Sequence, residues 1–472
     1  MSMMKSVPLE DMLHYAIDFY SFLYSDDNIA PHICVYSPAS TYIFGEHSDY
    51  NRSFAMTMSM PMTLLATVGF NNRKVINIAS DGTCGKKLVE RFPLKGFEDC
   101  IKDAPKWVKM SLWTLCAFKD KLEEGINISF VSCIPVGKGF GSSTAMTTAL
   151  FTAIEALIDK NYLRLRPKVK MCFDIEACGL NSVCGYAQQL TAFCAEKGYA
   201  LLTDCRTLIA SYIPIQKWPA VFVITYSSIE RENIMEKFKE RIEECNKVAY
   251  ILGVKALGEA TSSLLCAKKG LINETLFKRA THIMEEELRM YDAARALKRG
   301  DYRAFGLLML QSHYSLKENF EVSCKEIDEL VNIAMACPGV YGSKLTGVGF
   351  GGCTLTLVDR EHLEEFKELI DTNYCGGECQ FLVVKSSGSL KAISFEMRNY
   401  LLDKNIYPAS AFKLKQERVV GKPSQRFISM YLSDETLANF SSTKKNLSHK
   451  KRKHKKKEKN MNLKSEYKNV HC

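Results

Sequence analysis

Along residues 127–133 the apolar positions are β-branched or aromatic, Ile128, Phe130 and Val131 among them, and this predicts a strand. A glycine-rich turn follows, and from Ser142 to about residue 160 the spacing changes to that of a helix. A second helical pattern covers roughly 167–180. Short apolar runs at Tyr199–Thr203 and Ala220–Thr225 again predict strands. From about 229 to 337 helical periodicity dominates, with faces rich in Glu and Lys. A strand at Cys353–Val358, a helix near 361–372 and a strand at Phe381–Lys385 complete the pattern. Strands and helices do not alternate strictly, so an α+β architecture is expected rather than a doubly wound parallel sheet. No segment repeats, and 399–443 has no readable period.

Composition adds bounds. The 472 residues are 46% apolar and 25% charged, ordinary for a globular chain of two or three domains. That excludes a collagen-like fibre, a wholly disordered chain and a small disulfide scaffold. No apolar run reaches about 18 residues, so no transmembrane helix is expected and no membrane partner. Glu10, Asp11 and Asp18 interrupt the N-terminal apolar positions, which argues against a signal-peptide core. Eighteen cysteines then read as reduced, mostly buried thiols of a cytoplasmic or nuclear protein. Cys375 and Cys379 have no second pair at zinc spacing, so a structural zinc is not expected there.

The net charge of +10 suggests a nucleic-acid partner until it is located. Residues 444–472 hold twelve Lys and Arg against two acids, so 1–443 balance at 51 basic and 51 acidic residues. The body is neutral. The tail has almost no apolar content and is expected to be disordered. Lys450 to Lys457 is either a solvated extension or a site for nucleic acid or an import receptor, which adds the nucleus to the expected cytoplasmic location. No aromatic residue interleaves with those lysines, so base stacking is not expected.

Three segments carry candidate chemistry. Pro135-Val-Gly-Lys-Gly-Phe-Gly-Ser-Ser-Thr-Ala145 places Gly137, Gly139 and Gly141 before the helix that opens at Ser142 and Ser143. Glycines permit positive φ and close approach, and a helix N-terminus favours an anion, so the segment is a candidate phosphate cradle. It has neither the Gly-Lys-Ser/Thr ending of a Walker loop nor the dinucleotide pattern. Alone, it reads equally as a strand-to-helix turn capped by Ser. Gly45-Glu-His-Ser-Asp-Tyr50 gathers two carboxylates and an imidazole, fit either to hydrogen-bond sugar hydroxyls or to form a polar capped loop. Gly342-Ser-Lys-Leu-Thr-Gly-Val-Gly-Phe-Gly-Gly-Cys353 is a second glycine-rich loop, entering a strand.

All three, in this order, resemble the GHMP kinases, and among them the galactokinases. The resemblance spans about residues 31–395 and includes Lys197 to Arg206 and Ser312 to Cys324. It implies a two-domain α+β GHMP kinase fold with the ligand cleft between the domains. The implied division is an N-terminal domain at 1–215, a C-terminal domain at 216–398, an extension at 399–443 and the tail at 444–472. It implies ATP and Mg²⁺ as cofactors and a small sugar as substrate, with transfer to the sugar's C1 hydroxyl. Glu46, His47, Asp49, Gly185 and Phe238 match sugar-contacting positions. Pro135, Gly137, Lys138, Gly139, Gly141, Ser142, Ser143 and Thr144 match the triphosphate loop. Ser143 and Glu176, eight residues before the Cys184-Gly185 pair, match the magnesium side.

Several positions depart from the family pattern. Ser40 stands where the family has an Arg between phosphate and attacking hydroxyl, and Gln188 where it has the catalytic Asp. Gly141 replaces a Ser, Thr144 an Ala and Phe238 a Tyr. A general base contributes about 10²–10⁴ in rate, and a cation on the transferring phosphoryl group about 10³–10⁵ in related systems. The first expectation is therefore a galactokinase-like protein that binds ATP–Mg²⁺ and a galactose-like sugar, with impaired or absent catalysis and a sensing or regulatory role. The second is an active small-molecule kinase with an altered acceptor, using Asp49, Glu46 or the substrate itself for proton transfer. The third is a nuclear or RNA-associated protein acting through its tail.

Overall fold

The computed structural model describes residues 2–3, 7–25, 30–82, 88–158, 163–180, 185–215, 219–229, 233–394 and 415–417. The tail expected at 444–472, and the extension at 399–443 apart from 415–417, lie outside the described residues. Residues 1–420 cluster as one compact unit that contains both sheets.

The first half opens with β1 (Ser2–Met3), α1 (Leu9–Leu23), β2 (Ile33–Phe44), β3 (Phe54–Asn71), β4 (Val75–Ser80) and β5 (Leu88–Pro93). There follow α2 (Lys106–Cys116), β6 (Gly125–Ser132), α3 (Ser142–Ile158), α4 (Leu165–Leu180), α5 (Ala187–Cys194), β7 (Tyr199–Asp204) and β8 (Ile209–Pro214). The second half runs β9 (Ala220–Tyr226), α6 (Ile234–Leu252), α7 (Ser262–Ala267), α8 (Glu274–Arg299), α9 (Tyr302–Glu318) and α10 (Lys325–Ala336). It closes with β10 (Val340–Thr346), β11 (Cys353–Asp359), α11 (Leu363–Asn373), β12 (Gln380–Val384), β13 (Lys391–Ser394) and β14 (Lys415–Glu417).

Two sheets result. One has nine strands, ordered β14-β13-β2-β3-β6-β4-β5, with β7 beside β3 and β8 beside β7. The other has five, ordered β1-β12-β9-β11-β10. Pairing is antiparallel except between β4 and β6 and between β1 and β12. β8 and β9, which flank the expected division at 215–216, fall in different sheets. The two halves also exchange strands, since β1 joins the second sheet and β13 the first.

α3 lies on β2 and β3 and is buried on every side from Thr144 to Glu155. α4 buries one stripe, at Lys168, Cys172, Ile175 and Glu176, the spacing of an amphipathic helix. Its Lys168 forms a buried ion pair with Glu155 of α3, so the two helices are locked in register. In the second half a core of Val248, Ile283, Leu316, Phe320 and Leu345 packs α6, α8 and α9 behind β10. These contacts fix the elements whose ends carry the candidate site.

Candidate active site

The turn between β6 and α3 depends on its glycines. Gly137, Gly139 and Gly141 have φ of 78°, 88° and 70°, values that L side chains rarely adopt. Ala145 N–H donates to Gly141 O at 2.8 Å, so α3 begins at the end of the turn. The N–H groups of its first turn, Ser142, Ser143 and Thr144, have no acceptor within the helix. Together with the helix dipole they favour an anion at the turn that Pro135 opens. Lys138 reaches elsewhere: its amine lies 3.6 Å from the Tyr226 ring centroid and donates to Gln380 Oε1 at 3.1 Å.

Beside this turn Glu176 is 2% exposed. Its carboxylate accepts from Thr144 Oγ1 at 3.0 and 2.9 Å, from Gln189 Nε2 at 2.7 Å, and from Ser143 Oγ. Burial pushes its pKa up, and these donors oppose that shift. A serine hydroxyl and a carboxylate facing each other beside the start of α3 are hard oxygen ligands, so the donor set fits Mg²⁺. Among the described residues no group of three or more His, Cys, Asp or Glu is placed to hold a metal. A cation here would complete its shell from phosphate oxygens and water.

The Gly45–Tyr50 segment is buried and heavily bonded. Glu46 Oε2 accepts from Lys344 Nζ at 2.5 Å, both side chains being almost fully buried. Glu46 Oε1 is buried without a protein partner. Burial raises the pKa of Glu46, and the Lys344 ammonium works against it. His47, matched to a sugar contact, has both ring nitrogens engaged inside the protein, Nδ1 with Tyr50 OH at 3.0 Å and Nε2 with Val348 O at 3.1 Å. Burial depresses its pKa to about 3, so the ring is neutral. Asp49 accepts from Tyr42 OH at 2.5 Å and from Tyr50 N–H at 2.9 Å. The Ala187 N–H, at the start of α5, also stabilises its charge, while burial raises its pKa. A Cβ at Gly185 would lie 1.5 Å from Asp49 Oδ2, so only glycine fits that approach. Phe238 packs on His47 and Tyr50 with ring centroids 5.8 and 5.4 Å apart.

Ser40 and Gln188, far apart in the chain, meet at one point. A Cβ on Gly141 would lie 2.9 Å from Ser40 Oγ and 3.2 Å from Gln188 Nε2. The Ser40 N–H donates to Phe140 O at 3.0 Å, tying β2 to the phosphate turn. The third motif closes on the same place. Thr346 Oγ1 donates to Tyr42 O at 2.9 Å, and the Gly347 Cβ position is 3.7 Å from Gly139 Cα. All three motifs therefore converge on one site.

Sequence reasoning missed the supports behind these motifs. Glu286 of α8 accepts from Gly45 N–H at 3.1 Å and from Ser312 Oγ at 2.7 Å. His282 reaches Ser315 Oγ at 2.9 Å and Glu46 O at 3.4 Å. Glu286 is the middle of the run Glu285-Glu286-Glu287 and His282 precedes it by one turn, and nothing local marks either as the buried polar residue of a long helix.

Comparison with known proteins adds the context. The GHMP kinases N terminal domain matches residues 108–196, and the GHMP kinases C terminal matches 293–374. Galactokinase of Homo sapiens is 32% identical over 366 residues, covering 77% of this chain and 93% of that protein. Galactokinase of Clostridium acetobutylicum is 30% identical over 368 residues, covering 76% and 94%. Among solved structures, Lactococcus lactis galactokinase complexed with galactose superposes with a TM-score of 0.74 at 24% identity, over 80% of this chain and 99% of that one. Methanococcus jannaschii mevalonate kinase gives 0.53 at 19% identity, a likeness of fold.

Proposed function

The chain belongs to the galactokinase family of GHMP kinases, with their two-domain α+β fold, and on that premise we propose that it binds ATP–Mg²⁺ and a galactose-like sugar but phosphorylates the sugar weakly. The family is one of ATP-dependent sugar kinases, and the phosphate side of the site keeps the groups such chemistry needs. Gly137 to Thr144 would cradle the phosphates, and Ser143 with Glu176 would hold the metal. Bound there, Mg²⁺ would neutralise charge on the phosphate oxygens.

The observation that carries the reading is the meeting of Ser40 and Gln188 at Gly141. A carboxamide accepts no proton at neutral pH, and a serine hydroxyl carries no cation. Loss of the base alone corresponds to about 3–5 kcal/mol of barrier. A protein of this kind suits a sensing or regulatory role, in which occupancy rather than turnover is the output.

One observation favours the second reading, an active kinase of altered acceptor. Glu46 Oε1 is buried without a partner, and its pKa is raised, as a proton acceptor at neutral pH requires. Asp49 is less free, since both of its oxygens already accept hydrogen bonds.

A coupled ADP-release assay at saturating galactose, with calorimetric titration of sugar and Mg-ATP, separates the readings. Binding of both ligands with turnover far below about one per second supports weak catalysis. Turnover at or above that rate overturns it. The tail reading concerns residues outside those described.

A further inference from the structure

The first turn of α5 presents two adjacent carboxamides, and both face the phosphate side. Gln189 donates to Glu176 Oε2 at 2.7 Å, on the carboxylate that would hold the metal. Gln188 turns its Nε2 to within 3.2 Å of the point where a Gly141 Cβ would sit, at the N-terminal end of α3. The start of α5 is itself pinned, because the Ala187 N–H serves the buried Asp49 carboxylate. Gly141, lacking a Cβ, leaves the gap that the amide of Gln188 and the hydroxyl of Ser40 share.

We propose that Gln188 is a phosphate-binding residue: its carboxamide N–H donates to the terminal phosphoryl group of a nucleoside triphosphate seated on the 137–143 turn. The inference rests on the nucleotide-binding reading above. A carboxylate at this position would repel a phosphoryl oxygen and accept a proton from an acceptor hydroxyl. A carboxamide attracts the first and cannot do the second. The exchange therefore turns a group facing the acceptor into one facing the nucleotide. Ser40, against the same gap, adds a neutral hydroxyl and no competing charge. Gly141 favours both, since a Cβ there would crowd Ser40 Oγ at 2.9 Å and Gln188 Nε2 at 3.2 Å and would be strained at φ 70°.

The test compares triphosphate with diphosphate, because only the former carries the group that Gln188 would touch. Full-length protein is titrated calorimetrically with Mg-AMPPNP and with Mg-ADP. A charge-assisted hydrogen bond predicts that Gln188→Ala weakens the triphosphate about tenfold and leaves the diphosphate within about twofold. Gln188→Glu is nearly isosteric and places a carboxylate against the phosphoryl group, so it should weaken the triphosphate by more than about tenfold, again sparing the diphosphate. Equal losses for both nucleotides, or none in either variant, overturn this role and leave nucleotide binding intact. If the unaltered protein binds neither nucleotide, the nucleotide reading falls, and this role with it.

Discussion

Restoring the exchanged pair, as Ser40→Arg with Gln188→Asp, puts the weak-catalysis reading to its hardest test. Ser40 is 3% exposed and its backbone N–H is held by Phe140 O at 3.0 Å. A guanidinium grafted there would be buried, and the gap over Gly141 is where the side chain at 188 already reaches. Alone, a buried Arg at 40 lacks a partner, a condition that costs about 3–5 kcal/mol, while an Asp at the half-buried position 188 costs less. Together, opposite charges about 4 Å apart attract by roughly 4 kcal/mol at an effective dielectric of about 20. The four proteins of the cycle, unfolded in urea, should therefore show a favourable coupling of about 2–4 kcal/mol. The Arg also lowers the pKa of the Asp beside it, which keeps the base ionised at neutral pH. ADP release with galactose should rise by at least about 10²-fold in the double variant and little in either single one. Two results refute the reasoning. One is additive stabilities within about 0.5 kcal/mol, meaning that the positions do not touch. The other is a folded double variant that binds both ligands and turns over no faster than the unaltered protein.

Three further outcomes are expected. Burial holds His47 near pKa 3 and His282 near 4 against an ordinary 6.5, so the unfolded chain binds protons that the native state refuses, and stability falls as pH falls below 6.5. His47→Asn, a residue tolerated at φ 65°, should flatten the loss between about pH 6 and 5 by about 1.4 kcal/mol per unit in urea titrations; an unchanged slope refutes the assignment. Millimolar Mg-ATP should raise the melting temperature, with the rise reduced by Gly139→Val, strained at φ 88°, or by Glu176→Ala; no rise in the unaltered protein refutes the nucleotide site. Deleting 444–472 should leave the melting temperature within about 2 °C and move the protein from nucleus to cytoplasm if the tail is an import signal; a large loss of stability would mean that the tail docks.

The sequence was most legible where periodicity and punctuation agreed. The strand expected at 127–133 is Gly125–Ser132, the helix from Ser142 runs to Ile158, and 167–180 corresponds to Leu165–Leu180. Ala220–Tyr226, Cys353–Asp359 and Gln380–Val384 likewise match their apolar runs. The strands between 33 and 93 left no such signal, and β3 shows why. Its eighteen residues are buried on both faces almost throughout, so apolar, Thr and Ser positions follow one another without the alternation of a half-solvated strand. At the site, the glycine turn was readable from local chemistry, because positive φ at 137, 139 and 141 demands glycine. Glu176 was reached through family resemblance, since a helical carboxylate carries no local mark of its partners. Lys344, Glu286 and His282 act through pairings across the fold, which no local pattern records.

The structure redraws one boundary that resemblance had set. By sequence, Gly141 belongs to the nucleotide loop while Ser40 and Gln188 belong to the sugar side, so their departures read as separate events. In space the three share one gap, and each alters what the others can be. A Ser at 141 would put its Cβ 2.9 Å from Ser40 Oγ. A longer side chain at 40 must compete with Gln188 for the same volume. Close packing makes such neighbours non-additive. Meanwhile Thr144, in the same loop, donates to Glu176 at 3.0 and 2.9 Å. What the structure shows is two neutral side chains, Ser40 and Gln188, against one glycine, close to a buried Glu176 carboxylate that accepts from Ser143, Thr144 and Gln189. The three positions, taken together, are therefore the unit to vary when nucleotide binding is tested against phosphotransfer, because a change at any one of them alters the space open to the other two.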